Sequence, residues 1–302
     1  MTGLGGLLPV VPTPLRDGEI DEASIGTLVA GLAPYVDGLT VLGSSGESAY
    51  FSTSERLRAL AAFAAAAEQH GLPIVAGITD PSLAEARAFI TSSEAASVAA
   101  FLVLPPTYYP ATLAATERHL AAIAAAAERP IVFYDIPSLS GLAAPPSAIV
   151  ELATEIPSIT YVKVASVDVD RVREFASAGQ LGLFAGYDDI LHEQMAEGCS
   201  GAMVPVVAVA PAACRAWFDA LTEGKREVAF TIFMDDIAPL CRAMVGADVD
   251  FIAVVKRVLR HQSLISSEET VPGLPTLSPA RARQVDEVVG HLADRLAGRS
   301  AG

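Results

Sequence analysis

Eight short apolar runs, each followed by a longer amphipathic stretch, constrain this chain more than any other feature. The runs fall at residues 7–11, 38–42, 74–77, 99–104, 131–134, 159–164, 181–185 and 201–204. They are as long as strands, and their unbroken hydrophobicity asks for burial on both faces. The stretches between them carry helix starts. Ser52-Thr53-Ser54-Glu55 and Ser82-Leu83-Ala84-Glu85 fit a capping box, in which a hydroxyl and a carboxylate satisfy the first free amides. Pro146-Ser147 puts a proline where a helix opens, and the alanine-rich stretch 60–67 is helical by propensity. Strand–helix alternation implies a parallel sheet, and eight units over about 220 residues predict a (β/α)8 TIM barrel. A doubly wound open sheet is the alternative. It usually has fewer strands, and no glycine-rich dinucleotide fingerprint follows the first run.

After residue 209 the strand signals stop. Residues 217–221, 228–244, 251–260 and 279–296 have helical patterns, with Pro272-Gly273-Leu274-Pro275 turning the chain before the last. The first of these is expected to be the eighth barrel helix, and the others a C-terminal helical extension. The division expected is a catalytic barrel at 1–225 and the extension at 226–302.

Composition narrows the class. Hydrophobic residues make up 52% of the 302, which supports a large core, and 18% charged residues exclude a largely disordered chain. A net charge of −15 argues against nucleic acid or an anionic membrane as partner, while donors inside a pocket can still hold a small anion. No basic segment precedes a hydrophobic core at the N-terminus, and stretch 60–67 is too short to span a bilayer. A cytoplasmic protein is expected. Cys199, Cys214 and Cys241 are odd in number and lack metal spacing, so they read as reduced thiols. The five histidines form no metal or triad motif.

Of three lysines, Lys163 lies within Ile159-Thr160-Tyr161-Val162-Lys163-Val164-Ala165. Burying an ammonium is costly, and desolvation favours the neutral amine, which can attack a ketone to form a Schiff base. The plainer reading is a packed stem whose head reaches water. Position decides between them. Barrel chemistry sits at the C-terminal ends of the strands, and the unusual polar residues gather there. Gly43-Ser44-Ser45-Gly46-Glu47 follows the second run, and Tyr108 and Tyr109 follow the fourth. Tyr134 ends the fifth, Lys163 stands near the end of the sixth, and Gly186-Tyr187-Asp188-Asp189 follows the seventh. Each has an ordinary reading: a strand-to-helix turn, a core aromatic, a helix cap. Five strand ends aimed at one mouth point instead to a site, with the serine turn as an anion nest.

These motifs, with Pro105-Pro106-Thr107-Tyr108-Tyr109 and Tyr134-Asp135-Ile136-Pro137, resemble those of the dihydrodipicolinate synthase / N-acetylneuraminate lyase family of class I Schiff-base-forming pyruvate lyases. The likeness runs from Val11-Pro12-Thr13-Pro14 to the terminal helices. It implies that Lys163 forms the Schiff base with C2 of pyruvate or another 2-oxo acid and that Tyr134 is the general acid/base. Ser44, Ser45 and Gly46 hold the 2-oxo-acid carboxylate. The Ser45 hydroxyl relays protons toward Tyr108, or Tyr109 one position on, supplied by a neighbouring subunit. A homotetramer built from two tight dimers and no metal or organic cofactor are also implied.

Synthases of that family usually carry an arginine where Leu139 stands, and an aliphatic side chain cannot make a bidentate fork for a second carboxylate. Arg16, Arg118 and Arg129 substitute only if their loops reach the mouth. Ser138-Leu139-Ser140-Gly141 and Tyr187-Asp188-Asp189 resemble the sialic-acid lyase side. Pro205, however, stands where those lyases use a serine toward the sugar chain. Met203 and Pro205 complete the expected pocket. The expected function is a lyase or aldolase of a 2-oxo acid, a 2-keto-3-deoxy sugar acid, with pyruvate as product or donor. The alternatives are a dehydratase using the same lysine, a 4-hydroxy-tetrahydrodipicolinate synthase, and an inactive barrel that binds 2-oxo acids.

Overall fold

The computed structural model describes residues 3–244 and 250–300. Its main sheet has eight parallel strands: Gly6–Leu7, Leu39–Val41, Ile74–Ile78, Ala100–Val103, Ile131–Asp135, Ile159–Val164, Gly182–Ala185 and Gly201–Ala202. From the second onward each pairs with the next, and the eighth pairs with the first through Gly6 and Gly201. A parallel bridge between Val10 and Thr40 joins the first segment to the second. The Thr40 N–H donates to the Pro9 carbonyl at 2.9 Å and the Val11 N–H to that of Thr40 at 3.0 Å. The sheet is therefore a closed (β/α)8 barrel with no free edge, not an open doubly wound sheet.

Alternate strand residues point to opposite faces. Leu8, Val10, Val75, Leu102, Val132, Phe184 and Met203 pack together inside the barrel. Phe101, Phe133, Val162, Val164 and Leu183 face out into the larger core shared with the helices. Both faces are dry, so the runs show no polar alternation.

Helix Thr53–Glu68 opens on the expected capping box. Ser52 Oγ accepts from the Glu55 N–H at 3.3 Å and Glu55 accepts from the Ser52 N–H at 2.7 Å. At helix Leu83–Ile90 only half of the box forms. Ser82 accepts from Glu85, but its own N–H goes to Asp80 at 2.8 Å, while the Glu85 carboxylate bonds Thr53 on the neighbouring helix. The short hairpin Leu15–Arg16 with Glu19–Ile20 was not anticipated, being too brief to show a period.

The extension begins after helix Pro211–Thr222. The expected helix 228–244 is divided into Arg226–Ile232, a wide π turn at Phe233–Ile237, and Ala238–Met244. Apolar spacing does not reveal a one-residue widening of a turn. Helices Phe251–His261 and Pro279–Ser300 follow, joined by a two-pronged Arg257–Asp286 pair with both bonds at 2.7 Å. Val254, Val255, Val258 and Val285 belong to the same core as the outward barrel residues, so the extension packs as part of the barrel's own core. Among the described residues no helix is long and apolar enough to cross a membrane.

Candidate active site

Tyr134 and Lys163 are register partners on adjacent strands and occupy inward positions at the same level. Both are buried, and Lys163 Nζ lies 4.2 Å from the centre of the Tyr134 ring. Asp135, one residue on, must point outward. It accepts two bonds from Arg171, at 2.6 and 2.8 Å, and Arg171 also donates to the Ala144 carbonyl at 2.9 Å. Buried charge is tolerated when paired in this bidentate way, and here it fixes the strand end that carries Tyr134. The amide of Gln194 fastens the other side. Its Nε2 donates to the carbonyls of Val164 and Ser166, at 3.0 and 3.1 Å. Its Oε1 accepts from the N–H groups of Gly186 and Tyr187, at 3.1 and 3.2 Å. The ends of the sixth and seventh strands are thus held by one buried side chain.

The turn after the second strand is bounded by two left-handed residues that are not glycine, Leu42 at φ 55° and Glu47 at φ 60°. Such conformations cost of order 1–3 kcal/mol and persist where surrounding structure over-determines them. Glycine is required between them: a Cβ on Gly46 would come within 2.8 Å of the Leu42 nitrogen. The Gly46 carbonyl accepts from Thr13 Oγ1 at 2.8 Å. Glu47 is fully enclosed and paired with the equally enclosed Lys256 of the extension. Its second oxygen accepts from the Val271 N–H at 2.7 Å, while Lys256 Nζ also donates to the Glu269 carbonyl at 2.6 Å. Burial pushes the Glu47 carboxyl up and the Lys256 ammonium down, so the extra hydrogen bonds offset part of the cost of enclosing the pair.

Asp188 Oδ1 accepts from the Val206 N–H at 2.8 Å, so this carboxylate caps the short helix Val206–Val209 from a distance. Burial pushes it up to about 7, against the smaller opposing effects of that bond and of Lys163. Burial also raises Asp189, partly countered by the Arg242 charge.

These groups share one cavity of about 770 Å³. Ser44, Ser45, Tyr134 and Lys163 line it, as do Leu139, Tyr187, Asp188, Asp189 and Pro205. Gly46 and Met203 do not: the first turns its carbonyl to Thr13, and the second is enclosed in the inner barrel core. Tyr108 and Tyr109 stand outside, 84% and 77% exposed, their rings edge to face at 5.0 Å. Arg16, Arg118 and Arg129 are exposed and absent from the lining. Among the described residues no group of three His, Cys, Asp or Glu is placed to hold a metal ion.

Sequence reasoning missed the contribution of the extension. Cys241, Met244, Phe251, Ile252 and Leu274 all line the cavity. It also missed Gln194, Arg171 and Lys256. Lys256 carried the signal that exposed Lys163, a lysine inside an apolar stretch (Val254-Val255-Lys256-Arg257-Val258).

A buried amine beside a phenol, a small-residue turn rich in N–H groups and a pair of carboxyls can bind a 2-oxo acid and move protons around it. The model of the dihydrodipicolinate synthetase family matches residues 3–291. The chain belongs to this family. It is 29% identical over 280 residues to the 4-hydroxy-tetrahydrodipicolinate synthase of Phenylobacterium zucineum, covering 92% of this chain and 94% of that one. It is 30% identical over 295 residues to that of Cereibacter sphaeroides, covering 95% and 98%. The solved 4-hydroxy-tetrahydrodipicolinate synthase of Methylacidiphilum fumariolicum SolV matches with a TM-score of 0.89 at 25% identity over 98% of both chains. The Ruminococcus gnavus sialic acid aldolase matches with a TM-score of 0.88 at 25% identity, over 96% of this chain and 97% of that one. This family member is an enzyme, a class I lyase or aldolase.

Proposed function

We propose that the protein is an aldolase that cleaves a 4-hydroxy-2-oxo acid to pyruvate and an aldehyde, or joins the two, through a Schiff base on Lys163. The observation that carries this is the buried Lys163 amine 4.2 Å from the Tyr134 ring, on facing register positions at the barrel mouth. Ser44 and Ser45 hold the carboxylate through hydroxyls and backbone N–H groups, which sets C2 before the amine. Nζ attacks C2, the Tyr134 phenol protonates the departing oxygen, and water leaves, giving an iminium and a Tyr134 phenolate. The C4 hydroxyl proton passes to the Tyr134 oxygen as the C3–C4 bond breaks, and its electron pair enters the iminium to give an enamine. The aldehyde departs. C3 takes that proton back from Tyr134, and water hydrolyses the iminium to release pyruvate and the free amine, its surplus proton returning to the Tyr134 oxygen. Ser45 and a tyrosine from a neighbouring subunit, Tyr108, extend the proton path. The exposure of Tyr108 in the single chain fits that role and a homotetramer.

Tyr187, Asp188 and Asp189 suit the C4 hydroxyl, the hydroxyl of the expected sugar acid that lies nearest the lysine. Several relatives are synthases by name, but that reaction brings a second carboxylate to the site. Leu139 offers it no donor, and Lys163 is the one cation among the described lining residues. Arg242 lies outside the lining and donates to the Ala238 carbonyl.

The reading is tested by pyruvate release from 4-hydroxy-2-oxo acids. Lys163→Arg should release none, and Tyr134→Phe should be slower by roughly 10²–10⁴-fold, the usual range for a positioned acid/base. Release at the wild-type rate by Lys163→Arg ends this reading.

A further inference from the structure

We infer that the group carried on C4, beyond the reacting hydroxyl, is apolar, so that the aldehyde partner is aromatic or branched aliphatic. This rests on the Lys163 aldolase reading and narrows its substrate class. The polar side chains that line the cavity all come from the barrel: besides Tyr134, Ser44, Ser45 and the Tyr187-Asp188-Asp189 turn they include Thr79, Thr107 and Ser138. Leu104, Ile136 and Leu139 stand among these barrel residues. The extension supplies the apolar wall from Cys241, Met244, Phe251, Ile252 and Leu274, with no charged or hydroxyl-bearing side chain among its described lining residues. A volume of about 770 Å³ far exceeds what pyruvate alone fills, so the walls meet the rest of the substrate.

Hydroxyls pressed against the extension wall lose water without gaining partners, and each costs free energy. A second carboxylate would find no cation beyond Lys163 among the described lining residues. An alkyl or aryl group gains from the same burial. The wall is also held in place. Ile252 and Lys256 are one turn apart on helix Phe251–His261, and Lys256 is locked to Glu47 behind the serine turn. The apolar wall and the carboxylate-binding turn are therefore fixed to each other.

The experiment has two arms. First, the protein is reduced with borohydride in the presence of pyruvate and its mass measured. Second, kcat/KM for condensation of pyruvate is compared for benzaldehyde, isobutyraldehyde, glyceraldehyde and aspartate semialdehyde. A pyruvate adduct, with benzaldehyde or isobutyraldehyde preferred about tenfold or more, is expected. Ile252→Ser should cut that preference by about tenfold, the scale set by a methylene or more in a pocket. If that variant does not fold, the half-exposed Leu139→Ser reads the same loss. An adduct combined with preference for glyceraldehyde or aspartate semialdehyde overturns the apolar-partner inference and leaves the Lys163 reading standing. Absence of any adduct removes both.

Discussion

Asp188 shows how far a single residue could be read in advance. Its place after the seventh strand marked it as a site residue or a cap of the next helix; it lines the cavity, and its carboxylate accepts from Val206 on a later helix instead of capping Leu191–Ala196. Its raised carboxyl could not be foreseen, because it depends on burial in the folded chain, where the carboxylate meets Val206 eighteen residues on. The shift has a consequence for stability. The folded value, about 7, lies above the ordinary 3.8, so folding favours the protonated form. Stability from this group is complete below about pH 4 and is lost as pH rises toward 7. Asp188→Asn keeps an acceptor for Val206 and removes the titration. Against wild type it should gain between pH 5 and pH 8, by roughly 1.4 kcal/mol per pH unit at most while Asp188 titrates. Denaturant melts at the two pH values check this, and an unchanged difference between variant and wild type contradicts it.

At the scale of elements, the strands were legible because both faces are dry, and the strand ends showed polar residues where a barrel places its chemistry. The braces behind them were not legible. Glu47 meets Lys256 and Val271 more than two hundred residues away, and Asp135 meets Arg171 across a helix. Such pairings arise only when the chain is folded, and no local period announces them. The Glu47–Lys256 pair holds the left-handed Glu47 that closes the serine turn. Lys256→Met would leave a carboxylate enclosed without its cation, a loss of about 3–5 kcal/mol. Pairing it with Glu47→Gln should recover part of that loss, since no unpaired charge then remains. Urea unfolding of the two variants measures this. A Lys256→Met protein within about 0.5 kcal/mol of wild type, where unremarkable surface changes fall, would show that the pair does not brace the turn.

For the whole molecule, the closed barrel was legible from eight alternations, whereas the cavity wall from the extension was not. A helix pattern reports which face is apolar and not what that face covers. Cys241, Met244 and Ile252 are buried residues that border a cavity. Two adjacent tyrosines, Tyr108 and Tyr109, are left in solvent with their rings edge to face, a surface that suits a second copy of the chain. Wild type should sediment as a tetramer, and Tyr108→Glu with Tyr109→Glu should give smaller species with slower turnover. A fully active wild-type monomer at assay concentration contradicts this. That Lys163 carries the chemistry is tested most directly by reducing the wild-type protein with borohydride and pyruvate and mapping the modified peptide. The account predicts one adduct per chain, on Lys163, and none in Lys163→Ala. An adduct on Lys225 or Lys256, or an unmodified wild-type chain, would contradict it.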